Sequence, residues 1–345
     1  MSGGWQLRTR PFALELVNRF TIANSSRTTT PTLLVELERD GIVGYGEASM
    51  PPYLGETQQS AAALLARIDL DACDDPLHLG DQLAVVDGLA PGNTAAKAAF
   101  DIALHDWFGK RLGQPCYRLF GLTASDAPVT SFTIGIDAPD VVRDRVRAAR
   151  RYAALKVKLG GAHDREMVAA IRDVSSQPLR VDVNQGWRDR DAALAEIEWL
   201  ATQGVELVEQ PMPKERRDDL AWLRARSPLP IVADEGVQRL ADVAGCAGVY
   251  DGINVKLMKC TGMREAHAMI VTARALGLKV MLGCMTETSC AIAAAAQLAS
   301  LADWADLDGA LLVGNDPFQG PTFVDGRVLP SEQPGIGVAP RAASD

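Results

Sequence analysis

From about residue 130 onward the chain alternates between two periodicities, a short apolar run followed by a stretch whose apolar residues recur every three and four positions. The first pattern predicts a buried strand and the second an amphipathic helix. The strand-like runs are SFTIGI, ALKVKLG, LRVDVNQGW, VELVEQP, PIVADEG, DGINVKLMK, KVMLGCM and WADLDGALLV. Segments such as RDAALAEIEWLATQG and MREAHAMIVTARALG lie between them as helices. Repeated strand–helix units demand a parallel sheet, and eight of them close naturally into a (β/α) barrel, about 250 residues at full size and here a compact one of about 190. An open doubly wound sheet is the alternative. It usually carries a phosphate-binding glycine turn, and neither GxGxxG after a strand nor GxxxxGK[ST] occurs.

Residues 1 to about 125 read as a separate α+β unit. LLVELERDGIVGYGEA predicts two strands around a tight Asp40-Gly41 turn, its other glycines serving the same hairpin. TAAKAAFDIALHDWFGKRLG predicts a helix capped by Asn93 or Thr94 and ended by Gly113 and Pro115.

Six of the strand-like runs end in charge. In a strand, residues two apart share a face, so Lys156 with Lys158, Asp182 with Asn184, and Asn254 with Lys256 each aim two polar side chains one way. Glu209, Asp234 and the pair Asp306/Asp308 repeat the habit. Barrel active sites are built at strand C-terminal ends, which brings Lys158, Asp182, Glu209, Asp234, Lys256 and Asp306 to one mouth. A single charged strand end is often only solvated; six in register point to chemistry.

Composition narrows the class. With 345 residues, 47% hydrophobic and 23% charged, the chain can bury a large core. A net charge of -9 argues against a nucleic-acid scaffold, which needs basic patches. The start, MSGGWQLRTRPFALEL, lacks an uninterrupted apolar h-region and is not expected to act as a signal peptide. CAIAAAAQLASLADWA is too short and alanine-rich for a membrane span and predicts a buried helix. Six scattered cysteines (Cys73, Cys116, Cys246, Cys260, Cys284, Cys290) show no CxxC spacing, which suits a reducing, cytoplasmic setting. Barrel exteriors and caps offer several interfaces, so a homo-oligomer is compatible with the sequence.

Asp182, Glu209 and Asp234 come from three successive strands, and three hard oxygen donors without His or Cys suit Mg²⁺. The competing reading is a set of independent lysine salt bridges. Lys158 on the second strand and Lys256 on the sixth face each other across a barrel. A lysine becomes a general base near neutral pH once desolvation or neighbouring positive charge lowers its pKa, and Lys156 and a metal would supply such charge. Two bases on opposite sides of one carbon suit racemisation or epimerisation. The carbon beside a carboxylate needs its developing charge stabilised, for which Mg²⁺ and Lys156 are placed.

The motifs LKVKLG, VDVNQGW, VEQP, ADEG, INVKLMKCTG and DLDGALL resemble the enolase superfamily, in its muconate lactonising branch and there the dipeptide epimerases. The resemblance spans nearly the whole chain. It implies a (β/α)7β modified TIM barrel over residues 126–314, an N-terminal α+β capping domain over 1–125, and a tail, 315–345, that returns to the cap. It implies metal ligands at Asp182, Glu209 and Asp234, acid/base lysines at Lys158 and Lys256, and substrate contacts from Lys156. Asp306 and Asp308 would grip the α-ammonium of a dipeptide, though a capped turn at Gly309 would also explain the pair. The implied activity is inversion of the α-carbon of a dipeptide's C-terminal residue, by two-base 1,1-proton transfer through a Mg-stabilised enediolate, with L-Ala-D/L-Glu from murein peptides as substrate.

In the same resemblance, cap segments 20–31 (FTIANSSRTTTP) and 49–56 (SMPPYLGE) contact the substrate side chain. Relatives acting on Ala-Glu place an arginine in the first of them; Arg27 is the candidate here, with Ser25 nearer the aligned position. The branch resembling mandelate racemase uses a His-Asp dyad, whereas His78, His105, His163 and His267 fall in cap, loop or helix segments and read as surface or packing residues. Lys259 is out of phase with Lys256 and is expected to point away from the mouth. Alternatives with the same parts are epimerases of other dipeptides, o-succinylbenzoate synthase and N-acylamino acid racemase. A barrel that binds peptide without turnover is the non-enzymatic reading.

Overall fold

The computed structural model describes residues 4–22, 25–72 and 77–342; Cys73, positions 23 and 24 of the first cap segment and both chain ends lie outside the described residues. The N-terminal unit is an antiparallel sheet of β1 (Gln6–Ile22), β2 (Ser25–Arg39) and β3 (Ile42–Ser49), with α1 (Gln58–Leu65), α2 (Leu79–Gly88), α3 (Thr94–Leu112) and α4 (Cys116–Leu119). Asp40 (φ 53°) and Gly41 (φ 76°) form the β2–β3 turn with both central residues at positive φ, the geometry whose twist matches the flanking strands. The other glycines of GIVGYGEA serve packing rather than the hairpin: a Cβ at Gly44 or Gly46 would run into the carbonyl oxygens of Ala103 or Ala99, so their absence lets α3 lie directly on β3. At the start of α3, Asn93 sits at the N-cap without a side-chain cap bond. Glu56 does that work instead, accepting from Ala95 N (3.1 Å), Ala96 N (3.3 Å) and the Thr94 hydroxyl (3.3 Å). Gly113 ends the helix at φ 66°, as its sequence predicts.

The second unit contains all eight strands read from the sequence: β4 (Ser131–Ile134), β5 (Ala154–Lys158), β6 (Leu179–Asp182), β7 (Val205–Glu209), β8 (Ile231–Ala233), β9 (Gly252–Lys256), β10 (Lys279–Gly283) and β11 (Trp304–Asp306). They pair in chain order, all parallel. The first and last meet through a parallel bridge between Thr130 and Ala305 and a hydrogen bond from Leu307 N to Thr130 Oγ1 (2.8 Å), nearly closing the barrel. Seven helices follow the first seven strands: α5 (Pro139–Ala148), α6 (Asp164–Arg172), α7 (Arg190–Thr202), α8 (Arg217–Arg224), α9 (Leu240–Cys246), α10 (Met263–Ala275) and α11 (Ser289–Ala296). After β11 the chain makes a 3₁₀ turn, Gly309–Leu312, and short strand pairs, with no α-helix among the described residues, so the architecture is (β/α)7β. The alanine-rich α11 is buried on every side. No helix of the described residues is long and apolar enough to cross a membrane.

Acids of the first unit cap helices of the second. The Asp101 carboxylate on α3 accepts from Met263 N (2.6 Å) and Arg264 N (3.3 Å), the first N–H groups of α10. Glu47 on β3 accepts from Thr288 N (2.9 Å), the Thr288 hydroxyl (2.5 Å) and Ala291 N (3.3 Å) at the start of α11. Helix N-termini carry unpaired N–H groups and partial positive charge, so buried carboxylates there are stabilising. Residues beyond β11 also reach the N-terminal unit: Asn315 bonds Glu15 N and Ala13 O, Ile336 N donates to Asp106 Oδ1 (2.9 Å), and Cys116 N donates to Gly335 O (2.9 Å).

Glu287 lies in this seam, its carboxyl accepting from Met285 N (3.0 Å). Burial, reinforced by the neighbouring Glu47, pushes it up to about 8, and burial pushes Glu47 up to about 7. A folded-state acid raised above its unfolded value holds its proton while the unfolded chain has lost it, so stability falls as pH rises through that window. The melting temperature is therefore expected to drop between pH 5 and pH 8, and E287Q to flatten the drop. Thermal melts across that range check it; an equally steep pH dependence in the variant would count against a protonated Glu287.

Candidate active site

Register sets the level of the charged residues. Lys158 pairs with Asp182 and Asp182 with Glu209 across β5, β6 and β7, so these three stand on one rung at the strand C-termini. On the other side, Gly283 pairs with both Lys256 and Asp306. β5 and β9 are the second and sixth of eight strands, so Lys158 and Lys256 come from opposite walls. Both line a cavity of about 390 Å³ together with Lys156, Asp234, Asp306, Asp308, Arg27 and Ser25. Asp182 and Glu209 are fully buried behind the lining, in contact with Lys158 and Lys156.

Ligand atoms of Asp182, Glu209 and Asp234 all lie within 4.8 Å of one another. The repulsion is visible in their protonation: burial and then the charge of Asp182 push Glu209 up to about 7. Burial would raise Asp182 and Asp234 as well, but Lys158 outweighs it at the first and Lys256 at the second, holding both below the usual carboxylate range. Three converging buried carboxylates, with no nitrogen or sulfur donor, match the preference of Mg²⁺ for hard oxygen. The residues present thus fit a divalent cation.

The lysines are tied to these acids. Lys158 Nζ is 2.5 Å from Asp182 Oδ2, and Lys256 Nζ is 2.8 Å from Asp234 Oδ2. Lys156 Nζ bridges Glu209 Oε2 (2.7 Å), Asp306 Oδ2 (2.7 Å) and Asp182 Oδ2 (3.3 Å). Burial alone would lower Lys256, but Asp234 outweighs it and carries the pKa well above the ordinary lysine value; Asp306 and Glu209 do the same to Lys156. The lowered pKa expected from sequence is thus not found at Lys156 or Lys256, where the neighbouring carboxylates favour the charged ammonium.

At the eighth strand, Asp306 accepts from Ser131 Oγ (2.7 Å) and Lys156 Nζ (2.7 Å). Asp308 lies two residues beyond, past the strand end, accepting from Thr133 N (2.7 Å), and burial with the charge of Asp306 pushes it up to about 7. Of the two, only Asp306 forms an ion pair with a lysine among the described residues. From the cap, Ser25 and Arg27 reach the cavity together because they are two apart on β2. Arg27 donates to Thr30 Oγ1 (3.2 Å) and Thr286 Oγ1 (3.3 Å), with its guanidinium 5.3 Å from the Phe20 ring centre. Tyr53, in the second cap segment, donates to Met285 Sδ (2.8 Å) across the same cavity.

The histidines stay away from the cavity. His105 and His267 both stack on the Phe120 ring, and His163 is exposed beside Glu166. Lys259 does not line the cavity either. It stays out of the mouth, as expected, but the turn after β9 folds it back onto Asp234, whose Oδ1 lies 2.6 Å from its Nζ, so it touches the site from behind. Sequence reasoning assigned no role to Asn254, Glu235 or Gln210. Asn254 Nδ2 donates to Glu209 Oε1 (2.7 Å), Glu235 joins the cavity wall, and Gln210 Oε1 accepts from Asp234 N (3.0 Å) and Gly236 N (2.9 Å). Asn184, Gln185 and Gln210 all adopt positive φ (46°, 65° and 37°) beside the acids. Such backbone is rare for non-glycine residues and clusters at functional sites; asparagine in VDVNQGW was the one available hint.

Comparison with known proteins agrees with this geometry. Residues 140–344 match the family described as Enolase C-terminal domain-like, and residues 9–121 match the Mandelate racemase / muconate lactonizing enzyme, N-terminal domain. The L-Ala-D/L-Glu epimerase of Bacteroides thetaiotaomicron is 54% identical over 339 residues, covering 98% of this chain and 88% of the relative. Among solved structures, a substrate-liganded complex of the L-Ala-D/L-Glu epimerase from Bacillus subtilis superposes with a TM-score of 0.92 at 29% identity, covering 99% of both chains. The dipeptide epimerase of Enterococcus faecalis, complexed with Mg and the dipeptide L-Leu-L-Tyr, gives 0.90 at 30% identity, covering 98% of this chain and 99% of that one. With both of its units matched and a relative more than half identical over nearly its full length, this chain belongs to the mandelate racemase/muconate lactonizing enzyme family of the enolase superfamily, among the dipeptide epimerases.

Proposed function

We propose that the protein is a Mg²⁺-dependent dipeptide epimerase that inverts the α-carbon of the C-terminal residue, acting on L-Ala-D/L-Glu released from murein. The observation that carries this reading is the pair of lysines on opposite barrel walls, Lys158 and Lys256, flanking one cavity above three clustered carboxylates. Asp182, Glu209 and Asp234 would hold the ion. When bound, Mg²⁺ supplies positive charge beside the substrate carboxylate and so makes the adjoining C–H more acidic. One lysine, as the free amine, takes the α-proton from its face of the substrate, and the other, as ammonium, returns a proton to the opposite face. Lys156, held between Glu209 and Asp306, adds positive charge near the same carboxylate.

Asp308 and Asp306 pair with the substrate ammonium, which distinguishes dipeptides from the N-acylated or succinylated substrates of related enzymes. Arg27 is the contact for an acidic side chain, since its planar fork suits a carboxylate. The rest of that wall is apolar, with Phe20, Pro51, Pro52, Met285 and Leu312, which favours apolar dipeptides as a second reading of side-chain preference. The five described cysteines are free, which supports a reducing, cytoplasmic location.

The test is incubation of L-Ala-L-Glu with enzyme and Mg²⁺ in deuterated water. Each inversion is expected to add one deuterium at the glutamate α-carbon, read as a mass increase of about one unit with no label at alanine. A panel of other L,L-dipeptides ranks side-chain preference in the same assay. Absence of exchange across the whole panel would falsify the proposal.

A further inference from the structure

Each of the three clustered acids has one oxygen claimed by a donor of the protein itself. Asn184 N donates to Asp182 Oδ1 (2.9 Å), Asn254 Nδ2 to Glu209 Oε1 (2.7 Å), and Lys259 Nζ to Asp234 Oδ1 (2.6 Å). The remaining oxygens, Asp182 Oδ2, Glu209 Oε2 and Asp234 Oδ2, face only the cavity lysines. We infer that this division offers a metal ion one oxygen from each acid, and that Asn254 and Lys259 are positioning residues selecting Mg²⁺ over Ca²⁺. The inference rests on reading Asp182, Glu209 and Asp234 as the metal ligands.

The two kinds of partner differ in how firmly they are held. Lys156, Lys158 and Lys256 end in the cavity, and their ammonium groups can turn aside for a dication, Lys156 keeping Asp306 as its partner. Lys259 cannot: it is 1% exposed, and its three remaining bonds go to the carbonyl oxygens of Asp234 (2.7 Å), Val237 (3.0 Å) and Asn254 (3.0 Å). Asn254 is fully buried and fills space that exists because residue 283 is glycine; a Cβ there would collide with its amide. Its amide orientation is fixed by charge, since turning it over would set the amide oxygen against the Glu209 carboxylate.

Coordination chemistry gives this division a consequence. Ca²⁺ takes six to eight oxygens and readily uses both oxygens of a carboxylate, whereas Mg²⁺ demands a compact octahedron and keeps waters. Acids locked to one available oxygen suit the smaller ion. Releasing the second oxygen of Glu209 or Asp234 lets that acid turn toward two-oxygen binding, which penalises Mg²⁺ and relieves Ca²⁺.

Calorimetric titration of metal-free enzyme with MgCl₂ and with CaCl₂ tests this, with folding followed by circular dichroism melting. N254A and K259Q are expected to weaken Mg²⁺ by about 10- to 100-fold, the usual effect of removing a partner of a metal ligand, while the preference for Mg²⁺ over Ca²⁺ shrinks. G283A is expected to act in the same direction, by displacing Asn254. N254A keeps the test decisive should K259Q not fold, because it removes a neutral amide and leaves the Lys259 network intact. D234N separates the two levels of the reading: wild-type Mg²⁺ affinity in D234N sinks the ligand assignment itself. If D234N loses Mg²⁺ while folded N254A keeps wild-type affinity and preference, or loses both ions equally, the positioning role is overturned.

Discussion

Replacing Lys158 or Lys256 by alanine is expected to lower kcat/KM for dipeptide epimerisation by about 10²- to 10⁴-fold, the usual contribution of a positioned general acid or base. Each lysine serves both directions of the reaction, as base for one epimer and acid for the other. Either variant should therefore fail in both directions. A lone remaining lysine can still take and return the proton on its own face. K158A and K256A should each catalyse deuterium exchange of only one epimer, without inversion, and the two variants should choose opposite epimers. Mg²⁺ affinity should be unchanged or tighter, because the lost ammonium was competing for an oxygen of Asp182 or Asp234. Proton NMR of the separate epimers in deuterated water reads all of this. Exchange of both epimers by one variant would show that a single base reaches both faces, which opposite walls forbid.

The second large effect is expected at Asp308. D308N keeps the shape and the hydrogen bond from Thr133 N but leaves a substrate ammonium without its countercharge. Breaking a buried charge pair costs about 3–5 kcal/mol, so kcat/KM for dipeptides should fall by about 10²- to 10⁴-fold. N-acetylated dipeptides, which carry no ammonium, should lose little. The comparison matters because Asp306 is already engaged with Lys156 and Ser131, so D306N would also disturb Lys156 and could not isolate the ammonium contact. Kinetics with free and acetylated Ala-Glu decide it; an equal loss for both substrates would remove ammonium recognition from Asp308.

Much of this was legible in the sequence because barrel strands carry two superimposed messages. Their residues are uniformly buried, as in β5 and β9, and the polar ones, Lys156 with Lys158 and Asn254 with Lys256, stand two apart toward the C-terminal end, so both the element and its functional end stand out. Two-residue spacing correctly put Lys156 with Lys158. It misdescribed Asp308, which follows the strand on a turn and owes its place to Thr133. The helix start at Thr94 was readable, yet its cap is Glu56, 38 residues upstream of Thr94. Lys259 shows the limit most clearly. Strand phase ends at Lys256, and what the next turn does with an ammonium depends on carbonyls of Asp234 and Val237 supplied by another strand end. Local periodicity holds no record of such partners, nor of Asp101 and Glu47 meeting helices more than 160 residues away.

Those two acids also bear on how such enzymes diversify. Glu47 and Asp101 fasten the halves of the molecule at helix starts on one side of the barrel, whereas Ser25, Arg27 and Tyr53 line the cavity from the start of β2 and the bend after β3. Docking and discrimination thus fall to different residues of one small sheet and its helices. A lineage can rewrite those lining positions to accept a new peptide while leaving the fasteners untouched, and each new specificity inherits an already assembled catalytic centre.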